Sequence, residues 1–441
     1  MSTLGRSNLT SSIDRPEETR QAQPRRPTVH RIITQYTDDF LRKHPTACHV
    51  QSTLGRIGFC RTRSLGYRKY RCEPCDFTSY IYNSCGDRHC PQCTGAKRAE
   101  WLEKAANVVV PGITYFQAVF TVPQLLSSLI LGNRELLYKL LFQSAWGSLQ
   151  QALLEEHEIE PAAATVLHTW NQRLGHHPHI HALIPGCGPS RDGTKFVPCK
   201  MTKGTIAEPP KPFLVDNKRL GHRFRNLYLD GIERLVKKGQ LQIVDQQELE
   251  ATLDKLKLQD WVVFIEPPPR PDCQADHVLK YLARYMTGGP IANSRIESEK
   301  DGYIYFWARS EDKKKKGEQE LVRRTAVEFV RSWTLHILPK GFTRSRFYGA
   351  WSNKKRTAYT DLCNQLLEPS EPPTDPTQPT HQLPAEQQDP EQKGLPCCPK
   401  CQVPMKLVDQ TFRPSWRDLF YGPDHPEWME WVHEVHREAD H

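Results

Sequence analysis

Three groups of side chains in this sequence could do chemistry. "HHPHIHALIPG" at 176–186 carries four histidines in six positions, "CEPCDFTSYIYNSCGDRHCPQC" at 72–93 carries two CxxC pairs, and "HVLKYLARYM" at 277–286 carries two tyrosines four apart. Alternate side chains of a strand share a face, so His179 and His181 point one way and Ile180 and Ala182 the other. If residues 171–178 form the loop of an antiparallel hairpin, positions summing to about 349 face each other, which sets His168 opposite His181. Opposed Cβ atoms lie roughly 5 Å apart, close enough for His168, His179 and His181 to share one divalent ion, with His176 and His177 left in the loop. The plainer reading of an HxH strand is a polar surface pair. Three neutral ligands would leave coordination positions open and the ion's charge undiminished, which suits an anionic substrate such as a phosphodiester.

The cysteines point to a different kind of metal. A CxxC turn aims two thiolates at one point, and two such turns complete the tetrahedral shell that zinc prefers, so Cys72, Cys75, Cys90 and Cys93 are the expected ligands of a closed, structural site. The fourteen residues between the pairs fall just below the usual range, which leaves room for Cys85, His89 or Cys60 to replace a member or to hold a second ion. Reduced, unliganded cysteines are the alternative. Near the end of the chain "CCPKC" offers Cys397, Cys398 and Cys401, half a site, which we expect to be a labile knuckle or to bind no metal.

On a helix Tyr281 and Tyr285 project from one face. They could be half-buried packing residues beside Val278 and Leu282. Beside a metal site they could instead be nucleophiles, because a tyrosine that attacks phosphorus stores the broken bond as a phosphotyrosine, and an ion on the phosphate offsets a phenol pKa of about 10. Two tyrosines permit two successive strand transfers without free ends.

These groups need a framework, and 441 residues suffice for two or three domains. No run reaches the roughly 18 apolar residues of a membrane span, and the polar first 27 residues lack the apolar core of a secretion signal, so a reducing, cytoplasmic setting is expected. The net charge of +9 is concentrated in Lys313–Lys316, Arg323, Arg324, Lys340, Arg344, Arg346 and Lys354–Arg356, which suits a polyanion, although a solvated face would look the same. Arginine interleaved with tyrosine in "RTRSLGYRKYR" could track a phosphate backbone. Helical spacing predicts an amphipathic helix from Thr28 to His44. Between about 113 and 350 strands are expected at "YFQAVFTVP", "ATVLHTW", "HIHALIPG" and "WVVFIEPP", a hairpin at "IANSRI" with "GYIYFWAR", and helices at "NRELLYKLLFQSAWGSLQQALLEE", "HVLKYLARYM" and "TAVEFVRSWTLHIL". Hairpin strands with helices between them indicate an α+β domain on an antiparallel sheet. The expected divisions are a disordered tail at 1–27, a helix and zinc-binding domain at 28–105, a catalytic domain at 106–360, a proline-rich linker at 361–396 and a short C-terminal segment at 397–441.

In this order, "CEPC…NSCGDRHCPQC", "VLHTWNQRLGHHPHIHALIPGCG", "YLARYMTGGPIANSRI" and "EFVRSWTLHILPKGFTRSRFYG" resemble the IS91 family of rolling-circle transposases, over about residues 25 to 360. The resemblance implies an N-terminal zinc-binding domain followed by an HUH endonuclease domain of the two-tyrosine kind, with a central antiparallel sheet flanked by helices and the histidines on a middle strand. It implies His179 and His181 as the metal pair and Tyr281 and Tyr285 as nucleophiles. The spacing of His168 also resembles the three-histidine sites of some conjugative relaxases in the same superfamily. The expected function is a bacterial, nucleoid-associated enzyme that nicks and rejoins single-stranded DNA at element ends and targets through 5′-phosphotyrosine intermediates, using structural Zn²⁺ and catalytic Mg²⁺ or Mn²⁺. Arg68, Lys69, Arg284, Arg295, Arg344 and Arg346 are the expected DNA contacts, and a homo-oligomer is compatible with this function. A relaxase or replication initiator would use the same site, and a zinc-dependent DNA-binding regulator without catalysis is the rival of another class. Many family members follow the second tyrosine with a Thr-His-Arg run where this chain has "MTGGPIANSR", a departure that bears on target preference.

Overall fold

A computed structural model of the chain describes residues 26–96, 98, 99, 109–204, 209–266, 288–311, 317–367 and 395–421. Tyr281, Arg284 and Tyr285, with the helix expected around them, lie outside the described residues, as do Lys313–Lys316, residues 1–25 and 368–394.

The N-terminal part opens on α1 (Val29–Lys43), capped by the Thr28 hydroxyl accepting from the Arg31 amide, and α2 (Cys48–Gly58). Two short strands follow, β1 (Tyr67–Arg71) and β2 (Thr78–Tyr82), and then β3 (Tyr115–Thr121). Helices α3 (Ser127–Gly132) and α4 (Arg134–Glu156) lead into β4 (Ala162–Trp170) and β5 (His176–Pro185). After the small β6 (Gly188–Pro189) and β7 (Phe196–Val197) come α5 (Asn217–Lys237), α6 (Gln246–Lys257) and β8 (Val263–Glu266). The last third contains β9 (Ile296–Lys300), β10 (Tyr303–Arg309), β11 (Gln319–Thr325), α7 (Ala326–Thr334), β12 (Ser345–Gly349), α8 (Arg356–Leu367), β13 (Lys406–Gln410) and α9 (Trp416–Tyr421). The expected hairpin strand at "IANSRI" begins only at Ile296, because Asn293–Arg295 makes a turn of 3-10 helix.

The central sheet has five strands in the order β12, β4, β5, β3, β8, every neighbouring pair antiparallel, so β5 is its middle strand. Its two faces differ in residue type. Ile180, Ala182 and Ile184 of β5, with Ala163 and Leu167 of β4 and Phe116, Ala118 and Phe120 of β3, pack beneath α4 and α5 in the largest core. α4 buries a broad face, from Leu137 and Tyr138 to Ala152 and Leu153, and leaves Glu135, Lys139, Gln143 and Gln151 exposed. The opposite face carries Tyr115, Ala162, Ala164, Val166 and Leu183, covered at one end by Trp351, Tyr359 and Cys363 of the α8 region. The other end of that face holds the histidines.

A third core joins distant parts of the chain: Ile32, Ile33, Leu54 and Ile57 of the first two helices pack with Ile304, Phe306, Phe329 and Trp333 of the β9–β10–β11 sheet and α7.

Candidate metal and DNA-processing site

The hairpin that carries the histidines is tighter than expected. The Asn171 side-chain oxygen accepts from the Arg173 and Gly175 amides (3.0 and 2.7 Å) and Leu174 takes a φ of 62°, so the turn ends at Gly175 and His176 already belongs to β5. The register therefore differs by two from the expected one. His168 pairs with His179, and His181 faces Val166, with an irregularity between His168 and Trp170. The cluster forms nonetheless, because His168, His179 and His181 share one face. Ring centroids are 5.4 Å apart for His168–His179, 4.6 Å for His168–His181 and 4.9 Å for His179–His181, and one nitrogen from each ring lies within 4.8 Å of the others. That spread suits a single divalent ion. Among the described residues no carboxylate or thiol joins the three.

Neighbouring groups orient the rings. Nδ1 of His179 lies 2.8 Å from the carbonyl of His177, which fixes a proton on Nδ1 and turns Nε2 toward the cluster. Nδ1 of His181 lies 3.0 Å from the side-chain amide of Gln117 on β3. The amide oxygen of Gln117 is buried without a hydrogen-bond partner; half a turn of the amide sets that oxygen against Nδ1–H and leaves Nε2 of His181 for a metal. Burial holds His179 down to about 4, and burial with His179 and Arg344 nearby holds His181 down to about 3, so both rings are neutral at physiological pH and keep a lone pair for ligation.

His176 points to the other face, where Ser127 Oγ and Tyr138 Oη lie 2.7 and 2.9 Å from its two nitrogens; it is a core histidine rather than a loop residue.

Beside the cluster, Trp170 stacks on His168 with centroids 4.4 Å apart. The guanidinium of Arg344 lies 5.0 Å from the Trp170 ring and donates to the carbonyls of Leu167 (3.2 Å) and Gly288 (2.8 Å). Burial pushes Arg344 down to about 10, which still leaves it charged. A cavity here is lined by Arg344, Trp170, Gly289, Pro290, His336 and His89. Arg295 donates to the carbonyls of Trp307 (2.7 Å) and Gln172, and Arg346 lies 4.2 Å from the Phe142 ring. Arg68 is exposed on β1, and Lys69 lies 5.7 Å from the Tyr80 ring. The sequence reading missed Gln117 and Trp170; the signal for Gln117 was a lone amide among the apolar residues of "YFQAVFTV".

The cysteines are sorted differently from the expected set. Cys72 and Cys75 do not meet Cys90 and Cys93. Cys60, Cys85, Cys90 and Cys93 form one buried group, while Cys72 and Cys75 meet Cys398 and Cys401 in another. The strands β1 and β2 carry the 72–75 turn away from the 85–93 loop, so spacing along the chain misjudges which pairs converge. In the first group Cys93 Sγ lies 3.6 Å from both Cys60 and Cys85. These distances are near the roughly 3.8 Å edge of a tetrahedron with Zn–S bonds of about 2.3 Å, and far from a disulfide. The residues therefore fit structural zinc.

His89 stays outside the thiol shell, with Nδ1 3.1 Å from Asp87 and Nε2 accepting from the Leu338 amide at 3.2 Å. Arg88 donates to the carbonyls of Pro339 (3.0 Å) and Phe342. The cysteine loop thus grips the segment that leads to Arg344.

A middle-strand histidine cluster preceded by a zinc-binding region is the arrangement expected of a DNA transposase, and comparison with known proteins agrees. Residues 32–122 match the family model described as "Transposase zinc-binding domain", of the IS91 type, and residues 163–358 match that described as "Putative transposase". "Putative transposase y4qJ" of Sinorhizobium fredii (strain NBRC 101917 / NGR234) is 31% identical over 396 residues, covering 88% of this chain and 96% of that protein. The "Transposase for insertion sequence element IS801" of Pseudomonas savastanoi pv. phaseolicola is 24% identical over 317 residues, covering 71% and 72%. The chain belongs to the IS91 family of transposases, enzymes that cut and transfer DNA strands. No solved structure is a significant match to it. Among the described residues no helix is long and apolar enough to cross a membrane.

Proposed function

We propose that this transposase is a two-tyrosine HUH enzyme that nicks and rejoins single-stranded DNA at its element ends, with His168, His179 and His181 holding Mg²⁺ or Mn²⁺ and Tyr281 and Tyr285 as nucleophiles. One observation carries the reading. Gly288, whose carbonyl accepts from Arg344, is three residues beyond Tyr285, and Arg344 lies over the Trp170 ring that stacks on His168. Arg344 thereby links Gly288 to the histidine side of the sheet, which supports the reading.

The bound ion would draw charge from a non-bridging oxygen of the scissile phosphate. A tyrosine oxygen forms the new bond to phosphorus as the 3′-oxygen leaves; the phenol gives up its proton and the departing oxygen takes one. The number of phosphoester bonds is unchanged, so the free 3′-hydroxyl can reverse the step. The second tyrosine repeats it on the recipient strand or the other end. Arg344, half-buried and charged, adds fixed positive potential beside the phosphate.

The test uses single-stranded oligonucleotides from the flanks of the protein's own gene, with and without Mn²⁺, run on denaturing gels. A metal-dependent covalent band is expected, retained in one or both single variants and lost in Tyr281→Phe/Tyr285→Phe. An adduct that survives in the double variant removes these nucleophiles from the proposal.

A further inference from the structure

We propose that Cys72, Cys75, Cys398 and Cys401 hold a second zinc ion that latches the C-terminal segment onto the N-terminal sheet. The four sulfurs lie within 4.8 Å of one another, with Cys72 and Cys401 at 3.4 Å although 329 positions apart in sequence. All four are free thiols.

The two halves of the site are built alike. The Cys72 amide donates to the Phe77 carbonyl and the Cys398 amide to the Val403 carbonyl, both at 2.8 Å. Asp76 and Gln402, each directly after the second cysteine of its pair, take φ values of 51° and 61°, a conformation rare outside glycine. Two matching knuckles thus close on one point.

The junction itself has little apolar packing to hold it closed. Its buried cluster consists of Tyr70, Cys72, Cys398 and Met405, edged by Phe77 and Leu395. Strand β13 pairs with β1 along Arg68–Arg71, but every residue of β13 is exposed, and the Lys406–Glu73 ion pair (2.7 Å) is a surface pair of small worth. A short strand exposed on both faces is marginal by itself, whereas a four-thiolate zinc site contributes folding energy directly.

The latch would have consequences beyond β13. Past that strand the Thr411 amide donates to the Tyr67 carbonyl (2.7 Å), Arg413 donates to the Cys85 carbonyl (3.2 Å), and Leu419 is buried in the core shared by α1, α2 and α7. The C-terminal segment therefore braces the first cysteine group as well as forming the third strand of the β1–β2 sheet. The inference stands apart from the nuclease reading, since it uses none of the histidines or tyrosines.

Metal is measured on the full chain in a His179→Ala/His181→Ala background, so that the histidine cluster contributes no zinc. Two zinc ions per chain are expected, falling to one in Cys398→Ser/Cys401→Ser and in Cys72→Ser/Cys75→Ser, and staying at two in Cys397→Ser, whose thiol is exposed outside the group. A protease site introduced within 368–394 gives a second readout in a chain with all its cysteines. After cutting, the C-terminal fragment should co-elute with the rest in zinc and separate after chelation. One zinc in the parent chain, two in Cys398→Ser/Cys401→Ser, a Cys72–Cys401 disulfide, or release of the fragment from zinc-loaded protein would each overturn the latch.

Discussion

His168 and His179 face each other across the β4–β5 ladder with ring centroids 5.4 Å apart, and the ring of His181 closes the group 4.6 Å from His168. The third imidazole of the group thus comes from the neighbouring strand. His168→Ala should lower Mn²⁺ affinity at least tenfold and reduce adduct formation in parallel. Calorimetric titration of Mn²⁺ checks this, and unchanged affinity would remove His168 from the ligand set.

The side-chain amide of Gln117 lies 3.0 Å from Nδ1 of His181, where a partner would orient a metal-binding imidazole. Loss of such a partner typically costs about 10- to 100-fold in metal affinity. Gln117→Leu should show that loss, and Gln117→Glu, which keeps an acceptor for Nδ1–H, should recover most of it. Equal affinity in both variants would mean that Gln117 only packs.

Arg344 satisfies two backbone carbonyls, Leu167 and Gly288, from a half-buried position. Arg344→Met strands both acceptors at roughly 1–3 kcal/mol each, so a loss of about 2–6 kcal/mol is expected in denaturant unfolding. Arg344→Lys keeps the charge but not the planar fork, and should recover stability better than it recovers strand cleavage.

Acid should weaken the fold through two core histidines. Burial holds His336 and His176 each down to about 3, against 6.5 for a free ring. Between those values the unfolded chain binds more protons than the folded one, so stability rises with pH in that window and falls as pH drops below about 6.5. Each ring contributes up to about 1.4 kcal/mol per pH unit. His336→Gln, whose amide can reach the same Thr169 and Leu174 partners, should remove one proton's worth of slope between pH 5 and 6 in unfolding of the metal-free protein. An unaltered slope would show that His336 is not buried neutral.

Much of the central sheet was legible in advance. Alternation in "YFQAVFTV" and "HIHALIPG" and the long apolar run of α4 are local patterns with one structural solution each, and the strands at 115–121 and 176–185 and the helix at 134–156 follow them. The hairpin register was not legible, because the Asn171 turn and the irregularity after His168 shift it without changing composition. Helix α5 carries a readable signal in Leu220, Phe224, Tyr228 and Ile232 at four-residue spacing, whereas the five-residue strands β12 and β13 are too short to show a period.

By itself the sequence determined which residues could ligate metal, since imidazole and thiolate chemistry belongs to the residue type and a two-residue period fixes the face it occupies. Only the tertiary structure decided the partners. Cys72 and Cys401 meet across 329 positions, and the closure of so long a loop depends on what the rest of the chain packs against, which no local spacing records.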